Sequence, residues 1–189
     1  MSVTINKVVP GAKNGMLELT WMAESRSLIG TTEIPGVKHN PIILGFWKAI
    51  GITWGTTDEI PWCAAFTGAM LKKAGMPYLS SGMARAYVNY VKQLKKGKVL
   101  KSPCYGCIVV MWTGSIKGTQ GHIGFCAGVQ SGKPDNLMIL AGNQSNRVGI
   151  DPFSKSKVLA YIWPSVAPTQ ARYELPVLEY KGKGVATTR

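Results

Sequence analysis

Apolar residues recur every three or four positions in the first half of the chain and gather in short blocks in the second. Leu17, Trp21 and Leu28 fall on one side of a helix predicted from about Met16 to Leu28, which Gly30 ends. The polar stretch TTEIPGVKHN (31–40) reads as a loop. A second helix follows: Asn40 is placed to cap it, Pro41 suits its first turn, and Gly51 closes it after Ile43, Trp47 and Ile50. The third begins at Cys63, with Phe66, Met70 and Ala74 at helical steps and small residues at Ala64, Ala65, Gly68 and Ala69. Gly75 and Pro77 stop it. A fourth is predicted from Met83 to Lys95, with Tyr87, Val91 and Leu94 on one face.

Beyond KKGKV the period changes. Ile108–Trp112, His122–Val129, Leu137–Ala141 and Leu159–Trp163 read as strands. Helices followed by strands predict an α+β fold with an antiparallel sheet and the Cys63 helix packed on it. Residues 1–15 are expected to be flexible, 16–166 to form a single domain, and 167–189 to be a basic, partly ordered tail.

Composition supports a folded globule: 46% of the residues are hydrophobic and 16% are charged. No apolar run approaches the ~20 residues of a membrane span. The net charge of +13 favours polyanionic partners, including nucleic acid, anionic lipid and bacterial wall. No arginine-rich stripe interleaved with aromatics points to specific nucleic acid. The N-terminal stretch lacks a secretory pattern, so synthesis in the cytoplasm is expected, and a disulfide framework is not.

The candidate chemistry centres on Cys63. A helix N-terminus lowers a thiol pKa, and a neighbouring imidazole takes and returns its proton. In GHIGFCAGV, alternation puts His122, Gly124, Cys126 and Gly128 on one strand face. The glycines leave room there for a close neighbour, for which the small-residue helix after Cys63 is the natural candidate. Asn143 or Gln144, at the end of the next strand, is placed to orient the imidazole. A lone cysteine in an apolar helix is ordinarily core, so the joint placement carries the argument.

PWCAAF ahead of a helix, GHIGF on a strand, GNQSNRV, YIWP and the upstream EIPGVKHNPII together resemble the NlpC/P60 and CHAP-like peptidoglycan hydrolases, a branch of the papain-like cysteine peptidases. The resemblance covers roughly residues 16–164. It implies a papain-like fold that cleaves an amide of the cell-wall peptide through an acyl-enzyme, without metal or organic cofactor. Cys63 is then the nucleophile, His122 the base and Asn143 the orienter, with Gln144 as its substitute or a substrate contact. Trp62 walls the cleft or belongs to the core. The chain departs from the family at Cys107, where relatives tend to carry an acid.

The implied setting is a phage endolysin: a monomer made in the cytoplasm that acts on host peptidoglycan. An injected amidase toxin, with a cognate immunity protein, uses the same chemistry. A non-catalytic wall- or nucleic-acid-binding module and an acyl transferase are the other readings. Cys104-x-x-Cys107 lacks a second ligand pair for zinc unless Cys126 and His122 complete it, so two half-buried thiols are expected. Asp58 and Glu59 read as solvated loop acids, and Glu24 and Glu33 carry no assignment. Trp21, Trp47, Trp54, Trp112 and Trp163 are assigned to the core and sheet faces, with a sugar-stacking role open for one or two.

Overall fold

The computed structural model describes residues 7–12 and 14–182. Among them, four α-helices pack against a seven-stranded sheet, which makes the fold α+β. The helices are α1 (Thr20–Ser27), α2 (Pro41–Ala49), α3 (Cys63–Lys73) and α4 (Tyr90–Leu94). The strands are β1 (Lys98–Leu100), β2 (Ile108–Trp112), β3 (Gly121–Gln130), β4 (Lys133–Gln144), β5 (Arg147–Ser154), β6 (Val158–Trp163) and β7 (Val177–Leu178). They lie in the order β1-β6-β2-β3-β4-β5, all antiparallel, with the short β7 running parallel to β3.

Local chemistry accounts for the helix bounds. Asn40 caps α2 by accepting from the Ile42 N–H at 2.9 Å, and Pro41 takes the first helical position. Helix α1 starts four residues later than its apolar pattern implies, because Val8 and Leu17 pair across a small hairpin that buries Val9. Residues 7–12 are thus part of the packed domain. The predicted fourth helix divides into a 3-10 segment, Ala84–Asn89, and the short α4.

Helix α3 is buried from Cys63 through Leu71, as its small and apolar residues on every side require. It packs on β3 and β4, with α1 and α2 against its outer side. The sheet face is opened to it by Gly142: a Cβ there would overlap the Trp62 ring and lie 2.8 Å from Phe66 Cβ. The glycines of β3 have other neighbours. A Cβ at Gly124 would meet Ala141 Cβ at 2.5 Å, and at Gly128 the space belongs to Pro176 and Leu178.

Three strands lie outside the expected set. The two short ones, β1 and β7, make up little of the sheet, and β5 follows a two-residue turn at Ser145 and Asn146, both at positive φ. Such a turn matches the twist of a hairpin. The expected basic tail pairs with the domain as far as Leu178: the Tyr105 N–H donates to Arg172 O at 2.8 Å, the Val129 N–H to Pro176 O at 2.8 Å and the Ser131 N–H to Leu178 O at 2.9 Å. Its last seven residues lie outside the described ones. No helix among the described residues is long and apolar enough to cross a membrane.

Candidate active site

Cys63 opens α3 with its side chain turned to the sheet. Its sulfur lies within reach of the backbone N–H groups of Ile123, Ala64 and Cys63 itself. Ile123 is the residue after His122, so the helix start and the strand carrying the imidazole meet at this point. Burial pushes the thiol up to about 11, with those three N–H groups pulling it down. Cys63 is 5% exposed and His122 1%.

No hydrogen bond joins the Cys63 sulfur to the imidazole, and Nε2 of His122 is buried without a partner. The ring stacks on Phe153 of β5. Burial holds His122 down to about 3, with the neighbouring Gln144 side chain pulling the other way. Both the thiol and the imidazole are therefore neutral in this closed arrangement.

Of the two amide candidates, Gln144 is the one whose side chain acts on the His122 pKa. Its Nε2 donates to the carbonyls of Ile139 (3.1 Å), Ala141 (3.3 Å) and Gly149 (2.6 Å), which fixes the amide plane. Its Oε1 is left buried without a hydrogen-bond partner. Asn143 sits at the β4 bulge with φ 56°, is buried, and makes no hydrogen bond through Oδ1. A left-handed backbone is one that asparagine tolerates better than most residues. Asn143 thus has a conformational reason to be where it is.

Trp62 is fully buried, between Phe46 and Phe66, and belongs to the core. Its Nε1 donates to Glu33 Oε1 at 3.1 Å, which gives Glu33 a partner the sequence did not reveal. Asp58 is not a solvated acid. It is fully buried and accepts from the Ile34 N–H (2.8 Å), the Asn40 N–H (2.9 Å) and His39 Nδ1 (3.1 Å). Burial raises its carboxyl, but those hydrogen bonds and the His39 charge outweigh it and hold the pKa below the ordinary value. Glu59, beside it, is exposed. Among the tryptophans, Trp54 is 58% exposed, stacked obliquely on Trp47 instead of entering the core.

The other cysteines, Cys104, Cys107 and Cys126, form a fully buried thiol cluster. Cys107 takes its neighbours on both sides: Cys104 N–H lies 3.5 Å from its sulfur, and its own thiol pairs with Cys126, under burial that drives it well above the ordinary value. No group of three or more His, Cys, Asp and Glu side chains is arranged to hold a metal ion among the described residues. A cleft of about 280 Å³ lies between residues 32–36, Glu59 and the Ser145–Asn146 turn, beside the α3 approach.

No protein-family profile, no curated protein and no solved structure matches this chain.

Proposed function

We propose that the chain is a papain-like cysteine amidase that cleaves an amide bond of the peptidoglycan stem peptide, with Cys63 as nucleophile, His122 as general base and acid, and Gln144 as orienter. The observation that carries this reading is the Cys63 sulfur at a helix N-terminus, among three backbone N–H groups of which one belongs to Ile123, the residue after His122. The wall as substrate rests on the quoted motifs and fits the +13 charge.

A substrate amide entering the site brings the two neutral groups into play. The Cys63 proton passes to His122 as sulfur attacks the carbonyl carbon. Backbone N–H groups at the start of α3, including that of Cys63, hold the developing oxyanion. The imidazolium gives its proton to the leaving amine, whose C–N bond breaks, and a thioester remains. Water, deprotonated by His122, attacks the thioester, and the proton returns to the thiol as the acid leaves. An endolysin and an injected toxin with an immunity protein would both use these steps.

The closed site favours one second reading, a wall-binding module without catalysis, since both reacting groups are almost fully buried. The test is mass spectrometry of fragments released from purified sacculi by the wild type and by Cys63→Ala. Defined peptides from the wild type alone support the hydrolase and identify the bond. Binding without release by either protein sinks it in favour of the module. Amine exchange at the new ends would make the enzyme a transferase.

A further inference from the structure

Between α1 and α2 the chain makes a strap that touches both sides of the proposed reaction centre. At one end it pairs with the residues that follow Gln144: the Val148 N–H donates to Thr31 O at 2.9 Å, the Glu33 N–H donates to Asn146 O at 3.0 Å, and Thr32 bridges Arg147. In its middle, the Glu33 carboxylate accepts from Trp62 Nε1, the side chain immediately before Cys63. At its far end it becomes the cap of α2, where Asn40 also reaches back to Thr32 O at 2.8 Å.

One buried group holds this strap in shape. Oδ2 of Asp58 receives both the Ile34 and the Asn40 N–H, and Oδ1 faces His39 Nδ1. A fully buried carboxylate meeting three donors is a rigid junction, because one side chain ties Ile34, His39 and Asn40 together at a single point. The carboxylate stands five residues ahead of Cys63 in the chain.

We infer that Asp58 is a positioning residue for the Cys63 nucleophile: its carboxylate locks the 31–40 strap, which clamps Trp62 on one side and the turn after Gln144 on the other. The inference rests on the hydrolase reading above for its purpose, though the clamp has its own readout. Asp58 touches no reacting atom. It acts through Ile34, Asn40 and Glu33 on the start of α3, where the sulfur must meet its N–H groups and the imidazole together.

The test uses the full chain, iodoacetamide, and peptide mass spectrometry that follows each cysteine separately. Cys104, Cys107 and Cys126 are fully buried and report unfolding. Asp58→Ala is expected to raise the Cys63 alkylation rate about tenfold or more while the other three stay as slow as in the wild type. Asp58→Asn recovers most of the wild-type rate, since its oxygen keeps the two backbone donors and its N–H can face an unprotonated Nδ1 of His39.

Glu33→Ala, at a half-exposed position, loosens the same clamp from the strap side, and Glu33→Gln, which keeps an acceptor for Trp62, does not. On sacculi, kcat of the loosened variants falls while KM stays within about twofold. An unchanged Cys63 rate in Asp58→Ala and Glu33→Ala overturns the inference. If Asp58→Ala exposes all four cysteines it has unfolded, and the Glu33 pair decides. Alkylation is read without substrate, so sacculi left intact by the wild type would remove the hydrolase reading alone.

Discussion

The imidazole of His122 lies nearly parallel to the ring of Phe153, with centroids 5.1 Å apart and planes at 21°. This contact helps to keep the ring dry and neutral, with its pKa held down to about 3 by burial. The unfolded chain binds a proton at His122 near pH 6.5, and the folded chain does not until about pH 3. Stability is therefore complete above the unfolded value and falls as pH drops from about 6.5 towards 3. The slope from this one group approaches about 1.4 kcal/mol per pH unit. Urea titrations at several pH values should show that component vanish in His122→Phe. An unaltered acid slope would mean the ring titrates freely.

Cys63 gives the opposite limb. Its thiol is raised from 9.0 to about 11, so the folded protein keeps a proton that the unfolded chain has lost. Stability should fall as pH rises from about 9 towards 11, and Cys63→Ala should remove that part of the fall.

Asn143 and Gln144 are separable by conformation. Asn143→Gly keeps the φ of 56° without strain and, on the proposed hydrolase reading, should leave sacculus hydrolysis within about twofold of the wild type. Gln144→Ala should cost about tenfold or more in kcat, because the ring loses its polar neighbour. A severe loss in Asn143→Gly with little in Gln144→Ala would reverse the two roles.

Gly142→Ala drives a methyl into Trp62 and against Phe66 Cβ. The buried helix behind them has no free side to move to, so a loss of about 1–3 kcal/mol in unfolding free energy is expected. Denaturant midpoints measured beside Gly132→Ala, at an exposed turn of positive φ, separate steric clash from backbone strain. Equal losses would show that the clash is relieved.

Arg85 fixes the loop that leads into the His122 strand. Its guanidinium donates to the carbonyls of Ser115 (2.8 Å), Ile116 (3.0 Å) and Gln120 (2.7 Å). A lysine cannot reproduce that fork, so Arg85→Lys should behave like Arg85→Ala and cost about 1–2 kcal/mol. Hydrogen exchange across residues 113–121 is the measurement, and protection retained in Arg85→Lys would count against the clamp.

The amino-acid pattern by itself determined the helix–then–strand order, the caps of α2, the start of α3 at Cys63 and the strand that carries His122. These follow from local periodicity, glycine, proline and capping chemistry, which act over a few residues. It also narrowed the imidazole's neighbour to Asn143 or Gln144. Only the tertiary structure sets their surroundings: the register shifts after Ala141, Asn143 takes a left-handed backbone, and three carbonyls pin the Gln144 amide. Asp58 and Glu33 stayed silent for the same kind of reason. Their partners Ile34, His39, Asn40 and Trp62 lie 18 to 29 residues away, and two of the donors are backbone groups that have no sequence signature. The burial that leaves Cys63 and His122 both neutral is likewise a property of the closed fold, since no residue near either in the chain sets it.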